Sequence, residues 1–297
     1  MSLRSLLFVP ADSPRKIAKA ETAGADALIF DLEDSVAPEC KADARSNLRD
    51  YLSGLGPERT WQAYVRINPL DTGEALDDLL VAAHPSVAAI VLPKATGRAD
   101  LLRCAYYLDM AERASGVAAG TVGILPVVTE TAAAVLRLPE LAAPLPRLTG
   151  LTWGGEDLST VLGALGNKRP SGEWDDSFRL ARALALLAAA ACEVPAIDTL
   201  HADYRDGEGL AAACAAARHA GFSGKIAIHP DQVPIVNAGF SPQPDELAHA
   251  RKVVAAFAAA PGTGTVGLDG RMLDRPHLVA ARRLLTSAGE KVLLDVD

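Results

Sequence analysis

Eight short, nearly unbroken apolar runs recur along the chain, and they limit its possible folds more than any other feature. They read SLLFVP (5–10), DALIFDLED (26–34), WQAYVRIN (61–68), AAIVLPK (88–94), TVGILPVVTE (121–130), LTGLTWGGED (148–157), AIDTLHADY (196–204) and GKIAIHP (224–230). A strand with one face in water alternates apolar and polar residues, whereas a strand covered on both faces reads as a continuous run. Segments of helical period lie between the runs. In SPRKIAKAETAGA, Ser13 suits an N-cap, Pro14 the first helical position and Gly24 a stop. TGRADLLRCAYYLDMAERASG and DGEGLAAACAAARHAGFSG also end at glycine. Eight strands alternating with helices predict an α/β fold of the (β/α)8 TIM-barrel type. A doubly wound open sheet normally has fewer strands and a glycine-rich first turn, where this chain has VPADSP.

The tail exceeds what a closed barrel needs. PDELAHARKVVAAFAAA predicts a helix, PGTGTVGLDGR a glycine-rich flexible loop and DRPHLVAARRLLTSAG a second helix. The expected division is a barrel over 1–240 and a C-terminal helical extension over 241–297 that caps the barrel or packs on a neighbouring subunit. GTGTVG (262–267) fits G-x-G-x-x-G, but it follows a helix and opens none, so it is not a dinucleotide fingerprint.

The chain has 297 residues, 29 Lys+Arg against 37 Asp+Glu, and a formal net charge of −8. No basic stripe suggests nucleic acid. No segment approaches the roughly 20 apolar residues of a membrane helix, and MSLRSLLFVPADS is too short a run for a signal peptide. The four cysteines, Cys40, Cys104, Cys192 and Cys214, show no zinc spacing and read as free thiols. These features point to a cytoplasmic protein.

In such a barrel the chemistry lies at the C-terminal ends of the strands. Those ends carry Asp31, Glu33 and Asp34; Arg66 and Asn68; Lys94; Glu130; Glu156 and Asp157; His201 and Asp203; and His229. Acids dominate, and acids converging on one mouth need a compensating charge. Carboxylates with few imidazoles suit a hard cation such as Mg2+. From spacing alone, Glu130 and Asp157 serve equally well as metal ligands, as helix caps or as salt-bridge partners of Arg66 or Lys94. A lone histidine at a strand end more often makes a structural hydrogen bond than a metal bond.

Taken in order, RSLLFVPADSPRKIAKA, GADALIFDLEDSV, VRIN, VLPK, TE, GGEDLS, GFSGKIAIHPDQV and MLDRP resemble the citrate lyase β-subunit-like proteins of the HpcH/HpaI aldolase and citrate lyase superfamily, which includes malyl-CoA and citramalyl-CoA lyases. The resemblance spans nearly the whole chain and implies a TIM barrel, usually trimeric, with a hexamer also open. It implies that Glu130 and Asp157 hold Mg2+, with Glu130 facing the substrate. Glu156 would lie just behind the metal or turn away, and Glu33 and Asp34 would hold metal-bound water. Arg66 would contact the reacting carboxylate or the enolate oxygen. Phe8, Arg15 and Lys19 would contact coenzyme A, although relatives often carry Tyr and Lys at the first two positions. Backbone at Ile226 and Ala227 would meet the adenine. Asp274 would be an acid/base delivered to a neighbouring subunit's site.

The implied reaction is retro-Claisen cleavage of a 3-hydroxyacyl thioester, such as citryl-, citramalyl- or malyl-CoA, to a keto acid and an acyl thioester. A citrate lyase β subunit acting on a citryl thioester of acyl carrier protein is the alternative, since both carriers present phosphopantetheine. A metal-dependent aldolase acting on free hydroxy-keto acids is the nearest chemical rival and would need neither the basic first helix nor Asp274. A non-catalytic binding protein fits least, because each implied position holds a competent residue.

Overall fold

A computed structural model describes residues 3–291. It divides into a barrel unit, Leu3–Phe240, and a second unit that begins at Ser241. The barrel strands are β1 (Ser5–Pro10), β2 (Ala27–Asp31), β3 (Gln62–Arg66), β4 (Val87–Leu92), β5 (Gly123–Pro126), β6 (Leu151–Thr152), β7 (Ala196–Asp198) and β8 (Gly224–Ala227). All pair in parallel, in the order β5-β4-β3-β2-β1-β8-β7-β6. Parallel bridges Ile124↔Leu148 and Val127↔Thr152 join the two ends, so the sheet nearly closes on itself. All eight apolar runs contribute a strand.

Helices follow the strands: α1 (Pro14–Glu21), α2 (Lys41–Ser53), α3 (Ala75–Ala82), α4 (Arg98–Ala114), α5 (Ala132–Arg137), α6 (Glu156–Leu162), α7 (Asp176–Ala191), α8 (Gly207–Ala220) and α9 (Gln232–Phe240). Helix α9 follows β8 and is not expected from the sequence, because QVPIVNAGF carries Pro234 and reads as an apolar stretch without a polar face. A proline in the first helical turn sacrifices no intrahelical bond, so the helix forms.

Strand alternation divides the core into two layers. Leu7, Val9, Leu28, Phe30, Val65, Ile90 and Leu92 point outward and pack against the helices. Leu6, Ala27, Ile29, Tyr64, Ala89, Val91, Leu125, Val127, Ile197 and Ile226 point inward and fill the barrel. Two residues further along β2 and β3, the same inward positions become Asp31 and Arg66. The pleat that packs the core therefore also sets the polar mouth.

The second unit is a helix, a hairpin and a helix: α10 (Pro244–Ala258), β9 (Thr265–Leu268), β10 (Arg271–Asp274) and α11 (Arg275–Ser287). The glycine-rich segment is thus an antiparallel hairpin and not a flexible loop. Leu268 pairs Arg271 across a two-residue turn in which Asp269 and Gly270 have φ 50° and 75°. Asp-Gly with positive φ at both positions matches the right-handed strand twist. The unit's own core is Ala250, Val253, Phe257, Leu273, Ala281 and Leu285. Among the described residues the four cysteines are free, and no helix is long and apolar enough to cross a membrane.

Candidate active site

Asp31 and Arg66 are direct register partners on β2 and β3. Arg66 Nε and Nη2 donate to the two Asp31 oxygens at 2.7 and 2.6 Å, a bidentate fork. Its Nη1 lies 2.9 Å from Glu33 Oε2, and its guanidinium sits 4.5 Å from the centre of the Phe8 ring. Burial opposes charge on Asp31, yet the Arg66 bonds, with N–H groups of Ser35 and Glu33, outweigh it and hold this carboxyl below its usual range. Burial likewise opposes charge on Arg66, and its carboxylate partners hold it above its ordinary value.

Glu33 is 3% exposed. Burial raises its pKa against the pull of Arg66 and Lys94. Lys94 Nζ donates to Oε1 at 2.7 Å, while Oε2 has ion-pair proximity to Arg66 without an aligned hydrogen bond. Asp34 is largely exposed and 3.8–3.9 Å from Lys94 and Arg66. Lys94 itself has φ 52°, an uncommon conformation for a side-chain-bearing residue. Its backbone N–H donates to Glu130 Oε2 in a short bond, while its ammonium reaches Glu33. The left-handed turn thus lets one residue serve two carboxylates.

Glu130 is 5% exposed. Burial pushes its carboxyl up to about 8, with Asp157 and Glu33 adding to the rise against the Lys94 N–H. The Glu130 loop is tied to the next strand end by a reciprocal pair: Thr129 Oγ1 donates to Gly154 O at 3.0 Å, and Gly154 N–H donates back at 2.9 Å. Position 154 must be glycine for space, since a Cβ there would lie 2.9 Å from Glu130 Cγ and 3.2 Å from Val127 Cγ1. Glu156 and Asp157 follow as the first two residues of α6, where the helix end favours carboxylates. Glu156 accepts from Asn167 Nδ2 at 2.7 Å. Asp157, Glu130, Glu156 and Arg66 line one cavity with Phe8, Val91, Val127, Leu200 and Ile226.

The donor set fits a small hard cation. Glu130 is a buried carboxyl that resists ionising, and it lines one cavity with Asp157 and Gly154. Among the described residues no cluster of three or more acid, histidine or cysteine ligands exists. A two-carboxylate site is the pattern by which Mg2+ keeps several of its waters for exchange with substrate oxygens.

A second cavity of about 580 Å³ is lined by Phe8, Pro10, Arg15, Lys16, Lys19, Ala20, Ile228, His229 and Pro230. Phe8 borders both cavities. Arg15 and Lys19 thus sit together, one helical turn apart, and Lys16 joins them. Ile226 lines the first cavity, on the inner side of β8. Ile226 points into the barrel, and Ala227 is buried in the outer layer with Leu7 as its strand partner. Ile228, His229 and Pro230, just beyond β8, line the groove. His201 Nε2 lies 3.2 Å from Asp206 Oδ2, and its carbonyl accepts from Gln232 Nε2. Asp274 stands in the second unit as the N-cap residue of α11.

Sequence reasoning missed a buried charge cluster behind the site. Asp198 accepts from Trp153 Nε1 at 2.7 Å, Lys225 Nζ at 2.9 Å and Arg182 Nε at 3.0 Å. It anchors Trp153, the residue before Gly154. The available signal was a charged residue inside each of two apolar runs, AIDT and GKIA.

The protein-family model described as HpcH/HpaI aldolase/citrate lyase matches residues 4–230. A "citrate lyase subunit beta-like protein" of Mycobacterium tuberculosis is 38% identical over 284 residues, covering 96% of this chain and 95% of that protein. A "(3S)-malyl-CoA thioesterase" of Cereibacter sphaeroides is 37% identical over 289 residues, covering 96% and 94%. Among solved structures, Mycobacterium tuberculosis CitE in complex with magnesium, acetoacetate and coenzyme A superposes with a TM-score of 0.80 at 36% identity, covering 97% of this chain and 99% of that one.

Proposed function

The chain belongs to the HpcH/HpaI aldolase/citrate lyase family, and from that premise we propose that it is a magnesium-dependent carbon–carbon lyase that cleaves, or forms, a 3-hydroxyacyl thioester. The products of cleavage are a keto acid and an acyl thioester. The observation that carries this reading is Glu130, a buried carboxyl raised to about 8 that shares a cavity with Asp157 beside a cationic groove.

Glu130 and Asp157 would hold the ion. Bound there, Mg2+ supplies Lewis-acid polarisation of the substrate's hydroxyl and carboxylate oxygens. Asp31 and Glu33 keep the Arg66 guanidinium charged and aligned in the cavity wall, where it stabilises charge developing on the thioester oxygen. Glu33 and Asp34 orient water at the mouth. Arg15 and Lys19 bind the carrier's phosphates, and Phe8 stands between carrier and reacting atoms. Asp274 protonates the enolate carbon, or removes that proton in the synthetic direction. It does so in a neighbouring copy of the chain, in a trimeric or hexameric assembly.

The test is a panel of synthetic citramalyl, malyl and citryl thioesters, on coenzyme A and on acyl carrier protein, with magnesium and with EDTA. Keto acid should appear only with magnesium and should vanish in Asp157→Ala. Free coenzyme A is followed alongside, since relatives named thioesterase match this chain over nearly its whole length. Turnover of the acyl carrier protein substrate alone would favour the citrate lyase subunit. Keto acid release unaffected by EDTA would refute the reading.

A further inference from the structure

Asn68 stands two residues beyond Arg66 and is 4% exposed. Its backbone N–H and its Nδ2 both donate to Asp78 Oδ2 at 2.7 Å, and Nδ2 also donates to Leu32 O at 2.9 Å. The other Asp78 oxygen accepts from Arg45 Nη1 at 3.0 Å. With its amide nitrogen so engaged, Asn68 presents Oδ1 to Lys41 Nζ at 2.7 Å. The same ammonium donates to Leu32 O at 2.9 Å and to Glu33 O at 3.1 Å. An ammonium has three protons and no lone pair, so these oxygens use its full capacity. All three are neutral, and among the described residues Lys41 makes no ion pair. Lys41 is also the first residue of α2, where the helix end disfavours a cation. Neither charge pairing nor the helix accounts for a lysine there. The three bonds join the segment after β2 to the segment after β3. Leu32 lies between Asp31 and Glu33, and its N–H donates to Arg66 O at 2.9 Å. The ammonium therefore ties together the two backbones that carry Asp31, Glu33 and Arg66.

We propose that Lys41 is a positioning residue for Arg66, holding Glu33 and Arg66 at one spacing so that the guanidinium meets the charge developing on the thioester oxygen. The proposal rests on the reading of Arg66 as the group that stabilises that charge. Lys41 lines neither cavity, so it acts only through the residues it ties. Glu130 and Asp157 stand at other strand ends, and Arg15 and Lys19 on α1, so metal and carrier binding do not pass through it. Supporting groups of this kind hold a reacting constellation to within about 0.5 Å. A merely structural lysine would lower stability and leave catalysis by the folded protein intact. A positioning lysine lowers turnover in protein that is folded and binds its metal.

The experiment measures magnesium-dependent cleavage of the thioester that the parent turns over, in the full-length protein. Lys41→Met keeps the apolar stem and removes all three donors; Lys41→Gln keeps two. A misplacement of about 1 Å can cost about 100-fold, so kcat per folded site should fall about 10- to 100-fold in Lys41→Met and less in Lys41→Gln. Folded sites are counted by magnesium titration, and both the magnesium Kd and KM should stay near the parent's. Combined with Arg66→Lys, which removes the bidentate fork, Lys41→Met should add little further loss, because both act on one guanidinium. Parental kcat per folded site in Lys41→Met, or losses that multiply in the double variant, would overturn the positioning role. If Lys41→Met does not fold, Lys41→Gln alone and with Arg66→Lys decides in the same way. No magnesium-dependent cleavage by the parent, or parental kcat in Arg66→Lys, would instead remove the reading beneath it.

Discussion

Replacing Glu130 with Gln should stabilise the metal-free protein while abolishing its response to magnesium. Burial, Asp157 and Glu33 push the folded-state pKa up to about 8, from an ordinary value of 4.5. A raised carboxyl destabilises the fold only where the unfolded chain has ionised and the folded one resists. The cost is absent below about pH 4.5, grows between there and about 8, and levels off above. At pH 7.5 it amounts to about 4 kcal/mol, at 1.36 kcal/mol per unit. Gln removes it while its amide oxygen still accepts the Lys94 N–H. Burial of the amide offsets part of the gain, leaving about 1–3 kcal/mol. At about 2–4 °C per kcal/mol for a domain of this size, the melting temperature should rise by roughly 3–10 °C. Magnesium at about 100 times its Kd should add about 2.7 kcal/mol to the parent and nothing to the variant. Thermal unfolding at pH 7.5 and pH 4.5, with magnesium and with EDTA, reads all four states. A variant less stable than the parent at pH 7.5 in EDTA, or a gain as large at pH 4.5, would refute the reasoning.

Magnesium binding at pH 7 should release close to one proton, because the ion needs Glu130 ionised, and almost none at pH 9; calorimetry in buffers of different ionisation enthalpy measures this. Gly154→Ala should weaken magnesium binding at least tenfold, since its Cβ would meet Glu130 Cγ at 2.9 Å; an unchanged titration would contradict the spatial role of that glycine. Arg66→Ala leaves Asp31 and Glu33 buried without their partner and should cost about 3–5 kcal/mol in urea unfolding. A loss under about 1 kcal/mol would show that the mouth rearranges freely.

The barrel was legible because a strand covered on both faces leaves a continuous apolar run, and each of the eight runs delivered one strand. The strand ends also pointed to Glu130, Asp157 and Arg66, which do line one cavity. What stayed hidden depends on long-range register. Asp31 and Arg66 lie 35 residues apart, and only the pairing of β2 with β3 makes them a bidentate pair. Lys94 was visible as a charge, but its left-handed backbone and two carboxylate partners were not. The contribution of Ile228–Pro230 to the groove follows from the end of β8, whose phase puts Ile226 inside the barrel and Ala227 against the outer layer. The Asp269-Gly270 turn was a readable hairpin signal, obscured by the other glycines around it.

The account depends on one divalent ion shared by the carboxylates of Glu130 and Asp157. Crystals grown with Mn2+ in place of Mg2+ would place that ion by its anomalous scattering. The account predicts a peak about 2.1 Å from an oxygen of each side chain. A peak elsewhere, or a protein that turns over its thioester with no ion between them, would contradict it.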